Sequence, residues 1–214
     1  DPKTALLICF GSGITACTLS TSSLDVTGVE LSQDVLDMAG LFEEDNWHAL
    51  DNPRLRMVVD DGRNFLLTHQ DQYDVITFEP MPLAVAGVAT FYSKEFYELC
   101  RARLAPNGIV VQWVPLHATN LEVVRTLLST FHGTFPECTA WFLNADLFVV
   151  GSESPLRVDF ANAERRVNEP RIAEGLRQAG FADATDMLSC FFMSGDAIAS
   201  FSKGAPTMTD DRPW

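Results

Sequence analysis

The segment ALLICFGSGITA, residues 5–16, decides the fold of this chain. Its apolar first half predicts a buried strand over Ala5–Phe10, and its second half predicts a helix that begins at Ile14. Glycines at such a turn let the backbone approach a ligand and leave helix N–H groups beside it. A tight strand-to-helix turn also needs glycine for steric reasons, so the pattern alone identifies no ligand.

Outward from this turn, short apolar runs alternate with helical patterns, which is typical of βα units on a mostly parallel sheet. We predict a Rossmann-like α/β fold with a seven-stranded, mostly parallel sheet and flanking helices. Residues 1–152 are expected to form a nucleotide-binding core, and residues 153–214 a C-terminal helical extension of the same domain. The predicted strands are Ala5–Phe10, Asp25–Glu30, Arg54–Val59, Tyr73–Glu79, Gly108–Val114, Thr139–Leu143 and Asp146–Gly151, and the predicted helices are Ile14–Thr21, Gln33–Glu44, Asn64–His69, Ser93–Leu104, Leu121–Phe131 and two near Asp159–Gly180 and Asp183–Phe201.

Composition and charge restrict the partners. The formal net charge is −14, which excludes nucleic acid as an expected partner because a phosphate backbone requires clustered Lys and Arg. The same charge suits a cationic substrate such as a polyamine, and it also suits a merely solvated acidic surface. No apolar run reaches the ~18 residues of a membrane span, so we expect no direct membrane insertion of this segment. Five scattered cysteines without a C-x-x-C pair indicate a reducing cytoplasm and no metal site.

Acidic residues end the second, third and fourth predicted strands. Glu30 stands at the distance from the glycine turn where a carboxylate accepts hydrogen bonds from both ribose hydroxyls. Asp60 and Asp61 precede Gly62, a position that suits recognition of an adenine amino group, although capping of the next helix explains an acid there equally. Glu79 falls at the edge where α/β sheets bind ligands. Three acids suit an adenosine that carries a positively charged sulfonium, and suit a pyrophosphate poorly.

Three further motifs resemble the spermidine synthase (polyamine aminopropyltransferase) family, especially the spermidine-synthase-like domains of bacterial membrane-fused proteins. They are DDGRNFL (60–66) with YDVI (73–76), FYSKEFY (91–97), and LAPNG (104–108) followed by Gln112 and Trp113. The similarity runs in order from about Leu6 to Trp113. It implies a class I S-adenosylmethionine-dependent methyltransferase fold and, as the activity, transfer of an aminopropyl group to an amine such as putrescine.

The resemblance also implies a donor and roles for individual residues. The donor is decarboxylated S-adenosylmethionine or S-adenosylmethionine, the product is methylthioadenosine, and no metal takes part. Glu79 stands where the family places the aspartate that receives a proton from the attacking amine. Family members assemble as dimers or tetramers, so we expect a homodimer. The implied cofactor-binding residues are Gly11, Ser12 and Gly13 at the aminopropyl end, Glu30 at the ribose, Leu31 beside the adenine, and Asp61 and Gly62 at the adenine amino group; Tyr92, Gln112 and Trp113 are the expected amine-binding residues.

Two departures from the family pattern keep the reaction open. Where the family carries a second aspartate for the far amine of the substrate, this chain has Pro82. Glu79 is one methylene longer than aspartate, which moves the proton acceptor by roughly 1 Å. Three hypotheses therefore remain: an aminopropyltransferase with an altered acceptor, another S-adenosylmethionine-dependent enzyme such as a methyltransferase or lyase, and a non-catalytic nucleotide-binding domain.

Overall fold

The structure is a computed structural model that describes residues 2–81, 83 and 85–212. Pro82, which departs from the family pattern, lies outside the described residues. Within the described ranges the chain forms one twisted sheet with helices on both faces, which confirms the Rossmann-like α/β class. The strand order across the sheet is β3-β2-β1-β4-β5-β7-β6-β8. The strands are β1 (Thr4–Ile8), β2 (Asp25–Glu30), β3 (Leu55–Val59), β4 (Tyr73–Phe78), β5 (Leu104–Pro115), β6 (Glu137–Leu143), β7 (Asp146–Ser152) and β8 (Phe191–Ser194).

The first five strands are parallel, and β7, β6 and β8 complete the sheet in antiparallel pairs. Two clusters of buried side chains cover the two faces, one against α5 and α6 and the other against α1. The helices are α1 (Ile14–Thr21), α2 (Gln33–Asp37), α3 (Glu43–Asn46), α4 (Gly62–Thr68), α5 (Lys94–Ala102), α6 (Leu121–Thr134), α7 (Phe160–Val167), α8 (Pro170–Gln178), α9 (Ala184–Ser189) and α10 (Gly195–Phe201).

The described sheet has eight strands, so the prediction of seven was wrong. The additional strand is β8, which lies inside the segment predicted as a helix over Asp183–Phe201. It pairs with the outer edge of β6, and its Phe191 ring packs edge-on against Trp141 at 5.5 Å between centroids. An available strand edge and an aromatic cross-strand partner together outweigh the helical pattern of this short run.

The helix predicted over Gln33–Glu44 is also interrupted. It divides into α2, a 3₁₀ turn over Ala39–Phe42, and α3. Gly40 lies inside that turn, and a glycine costs about 1 kcal/mol relative to alanine in a helix interior. The break matters for the site because it brings Asn46 of α3 back against the turn that follows β1.

Parallel pairing places the carboxyl ends of β1, β2, β3 and β4 at one edge of the sheet. The register sets Ile8 beside Val29 and Phe78, and Glu30 beside Val59. The turns that leave these strands therefore gather in one place, where α/β sheets bind their ligands.

Candidate functional site

The turn after β1 has two glycines with a left-handed backbone. Gly11 and Gly13 adopt φ values of 57° and 88°, which are readily accessible only to glycine. No atom lies within 4 Å of where a Cβ on Gly11 would be, so space is open beside it, whereas a Cβ on Gly13 would meet the Phe10 ring at 2.6 Å. Asn46 holds the loop from α3, because its Nδ2 donates to the Ser12 carbonyl at 2.8 Å.

Glu30 is buried at the end of β2 and connects two turns. Its Oε2 accepts from the Phe10 backbone N–H at 2.9 Å, and its Oε1 accepts from the Ser32 N–H at 3.1 Å. Each carboxylate oxygen keeps a further lone pair that can accept from a hydroxyl. Beside it, Leu31 is 71% exposed and offers an apolar surface to a planar ring. The structure thus places Leu31 next to a carboxylate that also organises the glycine turn.

Asp61 caps the helix that follows β3. Its side chain accepts from the Asn64 backbone N–H at 2.9 Å, so the capping explanation is correct for Asp61. Asp60 accepts from the Asp61 N–H at 2.8 Å and from the Asn64 amide. Gly62 is required by close packing, because a Cβ there would lie 2.3 Å from the Ile8 side chain. Recognition of an adenine by Asp61 stays a prediction that is compatible with this cap.

Glu79 follows β4 and is exposed. Its Oε1 accepts a hydrogen bond of 2.7 Å from the Thr15 hydroxyl, which lies in the first turn of α1. This bond fixes one oxygen of the carboxylate and leaves Oε2 for another partner. Sequence reasoning did not assign Thr15 a role, because the two residues are 64 positions apart and only the sheet brings them together.

Cys9 shows that the predicted carboxylates converge. It adopts φ 72°, a conformation that costs a non-glycine residue about 1–3 kcal/mol and that clusters at functional sites. Burial, and after it the negative charges of Glu30, Glu79 and Asp61 in that order, together raise the pKa of its thiol to about 12. The acids that end β2 and β4 and the acid that caps α4 therefore all act on one point beside the glycine turn.

The three predicted amine-binding residues do not share one environment. Tyr92 is fully buried, its hydroxyl has no hydrogen-bond partner, and burial raises its pKa. Gln112 is also buried; its Oε1 accepts from the Tyr97 hydroxyl at 2.5 Å, and its Nε2 has no partner. Trp113 follows Gln112 on β5 and so points to the other face of the sheet, where its ring lies 6.5 Å from that of His117. Tyr97 is buried and orients the Gln112 amide through its hydroxyl.

Two further features of the described ranges concern metal-ligating groups and membrane-spanning helices. No three His, Cys, Asp or Glu side chains there are grouped so that they could hold a metal ion. No helix in the same ranges is both long and apolar enough to cross a bilayer.

Comparison with known proteins relates this geometry to a family. The spermine/spermidine synthase domain model matches residues 1–145. Polyamine aminopropyltransferase 1 of Pseudomonas aeruginosa is 34% identical over 113 residues, which cover 52% of this chain and 39% of the relative. Polyamine aminopropyltransferase 2 of the same organism is 27% identical over 232 aligned positions, which cover 100% of this chain and 64% of the relative. The chain thus spans between about two fifths and two thirds of the length of these relatives.

A solved structure supports the fold. Spermidine synthase from Thermotoga maritima superposes with a TM-score of 0.73 at 16% identity, over 94% of this chain and 68% of that protein. At this identity the likeness shows a shared fold.

Proposed function

The chain belongs to the spermine/spermidine synthase domain family, and on this basis we propose that it transfers an aminopropyl group from decarboxylated S-adenosylmethionine to an amine such as putrescine. The names of the Pseudomonas relatives support this activity. The observation that carries the proposal is the convergence of Glu30, Asp61 and Glu79 on Cys9 beside the glycine turn. Glu30 is buried and accepts two backbone hydrogen bonds. Glu79 is exposed, and only its Oε1 accepts the hydrogen bond from Thr15.

The residues at the turn fit the nucleoside part of the donor. Glu30 would accept from the ribose hydroxyls with the lone pairs that its backbone hydrogen bonds leave. The exposed Leu31 side chain would lie against the adenine, and Asp61 would accept from its amino group. Open space beside Gly11 would admit the aminopropyl end, next to Ser12.

The charge of the site favours the decarboxylated donor over the intact one. Intact S-adenosylmethionine ends in a carboxylate, which the negative charges of Glu30, Asp61 and Glu79 would repel. Both donors carry an ammonium and a positive sulfonium, which the same carboxylates attract, so the missing carboxylate is what makes the decarboxylated donor the more favourable one. Electrostatics therefore supports aminopropyl transfer against methyl transfer.

Glu79 would act as the proton acceptor. A polyamine nitrogen is protonated at neutral pH and cannot attack until a neighbouring group takes its proton. Thr15 donates to Glu79 Oε1, so the carboxylate is held in one orientation with Oε2 available to the amine. The donor supplies the electrophilic methylene carbon, the amine nitrogen forms the new C–N bond, and the sulfur leaves with the C–S electron pair as methylthioadenosine. Alignment of the two substrates provides most of the remaining acceleration.

We also propose that residues 153–214 extend the same domain and that the protein is a cytoplasmic homodimer. β8 supports the single domain, because this strand of the extension pairs with β6 of the core. All five cysteines lie in the described ranges and are free, which suits a reducing compartment. Exposed phenylalanines in the extension supply apolar surface for a second copy: Phe160, Phe191 and Phe192 are 47%, 47% and 54% exposed. Sedimentation equilibrium tests the dimer, and a monomer at all concentrations would contradict it.

Product analysis tests the activity. The purified chain would be incubated with putrescine and either decarboxylated or intact S-adenosylmethionine, and the products identified by mass spectrometry. We expect methylthioadenosine and spermidine with the decarboxylated donor, and no turnover with the intact donor. S-adenosylhomocysteine or methylthioadenosine from the intact donor would instead favour a methyltransferase or a lyase. Absence of binding by calorimetry with both donors would indicate a non-catalytic domain.

A further inference from the structure

Asn46 is a polar side chain that is almost entirely buried, with only 2% of its surface exposed. It makes three hydrogen bonds, and each partner is a backbone group. Its Nδ2 donates to the Ser12 carbonyl at 2.8 Å and to the Ala39 carbonyl at 3.0 Å, and its Oδ1 accepts from the Ala49 N–H at 3.4 Å. The amide therefore joins the glycine turn after β1 to the segment between β2 and β3.

The peptide unit between Ser12 and Gly13 is held at both of its polar ends. Asn46 binds its carbonyl, and the Gly13 N–H donates to the Phe10 carbonyl at 3.0 Å. The Phe10 N–H in turn donates to Glu30 Oε2 at 2.9 Å. One chain of hydrogen bonds therefore runs from the carboxylate at the end of β2, through the glycine turn, to the buried amide of α3.

The backbone around Asn46 is shaped to hold this amide in place. A Cβ on Gly13 would lie 3.2 Å from Nδ2, so the amide packs directly against the turn. Trp47 and His48 follow with φ values of 47° and 55°. Left-handed backbone is uncommon outside glycine, and it persists only where the surrounding structure requires it, often at functional sites. Here the two residues reverse the chain, so that the Ala49 N–H returns to Asn46 Oδ1.

The chemistry of the site requires a neutral amide. Its NH₂ group has two N–H donors, which match the carbonyls of Ser12 and Ala39, and its oxygen accepts the third bond. A carboxylate of the same shape would place an oxygen against two carbonyl oxygens. Without either group the Ser12 carbonyl would lose its partner, and the turn could adopt other conformations. A turn that is already fixed binds a ligand more tightly, because less ordering is needed on binding.

We propose that Asn46 is a positioning residue of the donor site. It acts through the Ser12 peptide, and so holds the glycine turn and Glu30 in the geometry that receives the nucleoside of decarboxylated S-adenosylmethionine. This inference rests on the proposed function and deepens it, because it adds a residue that sets the affinity for the donor. The amide stabilises the bound donor equally before and during the reaction, so its loss raises KM for the donor and leaves kcat unchanged.

Asn46→Asp tests this role, because aspartate keeps the size and the accepting oxygen but removes both N–H donors. We expect the Kd for methylthioadenosine, measured by calorimetric titration, to rise about tenfold to a hundredfold. KM for the decarboxylated donor should rise in parallel, while kcat and the KM for putrescine change by less than about twofold. Asn46→Ala removes the donors without burying a charge and should show the same separation of donor KM from kcat.

Asn52→Asp is the matched control. It removes an amide donor of the same kind, which binds the Ser20 hydroxyl at 3.0 Å in the loop that leads into β3. Its methylthioadenosine affinity should stay within about twofold of the wild type. Circular dichroism melting compares the stability of the variants.

Two results would overturn the inference. One is wild-type affinity for methylthioadenosine in Asn46→Asp or Asn46→Ala, and the other is an affinity loss of equal size in Asn52→Asp. In both cases the proposed activity of the wild type stands. A wild-type protein that binds neither methylthioadenosine nor the decarboxylated donor would overturn the proposed function itself.

Discussion

Glu30 combines a structural role with the ligand-binding role that the sequence suggests. A carboxylate at the end of the second strand of this fold is predictable, because the spacing from the glycine turn determines it. Its hydrogen bonds to Phe10 and Ser32 are not predictable, since they depend on the exact path of two turns. The roles of Thr15 and Asn46 could not be predicted for the same reason. Their hydrogen bonds join residues that are 64 and 34 positions apart in the sequence, so no local pattern indicates them.

The double role of Glu30 leads to a prediction. Glu30→Ala should weaken methylthioadenosine binding by about a hundredfold and also lower the free energy of unfolding by roughly 2 kcal/mol, because two buried backbone N–H groups lose a charged acceptor. Calorimetric titration and urea denaturation measure the two effects. Asp34→Ala, an exposed acid in α2, is the control and should change neither. Unchanged nucleoside affinity in Glu30→Ala would show that the ribose lies elsewhere.

Among the elements, the C-terminal segment over residues 202–212 is one whose packing could not be predicted from the sequence. It has no periodic pattern, yet it crosses α5 and α6 and is fixed at several points. Met208 is 1% exposed; its backbone N–H donates to the Thr130 hydroxyl and its carbonyl accepts from the Lys94 N–H, both at 2.9 Å. Asp210 pairs with both terminal guanidinium nitrogens of Arg63, the residue after Gly62. The segment therefore supports the start of α4, where Asp61 and Gly62 lie.

Met208→Ala measures how much this segment contributes. Removing a fully buried methionine side chain is expected to lower the free energy of unfolding by about 2–5 kcal/mol. Met81→Ala is the matched control, because Met81 is 59% exposed and its loss should cost less than about 0.5 kcal/mol. Urea denaturation at equilibrium gives both values. Equal stability of the two variants would show that the segment is not packed on the core.

The strongly periodic and long elements were predictable, and the short ones were not. The strands β1 to β4 follow from apolar runs, α5 and α6 follow from apolar residues at helical spacing, and α1 follows from the glycine turn before it. β8 has only four residues, and its strand character comes from β6, its partner across the sheet. Pairing between distant segments is the information that a local pattern lacks.

For the whole molecule, the net charge of −14 predicts that salt weakens the capture of the amine acceptor. A negative surface attracts polyamine cations, and salt screens this attraction because the Debye length falls from about 10 Å at 0.1 M to about 3 Å at 1 M. We expect kcat/KM for putrescine to fall about threefold to tenfold as NaCl is raised over this range. The affinity for methylthioadenosine, which is uncharged, should change by less than about twofold. Equal salt dependence of both would contradict electrostatic guidance of the amine.

In the proposed reaction, Glu79 takes a proton from an amine that attacks a bound aminopropyl donor. Single-turnover formation of methylthioadenosine from decarboxylated S-adenosylmethionine and putrescine tests it most directly. Glu79→Gln should slow this step by about a hundredfold or more while methylthioadenosine affinity stays unchanged. Glu164→Gln, an exposed acid on α7, should react like the wild type. A Glu79→Gln variant that forms methylthioadenosine at the wild-type rate would show that Glu79 is not the proton acceptor.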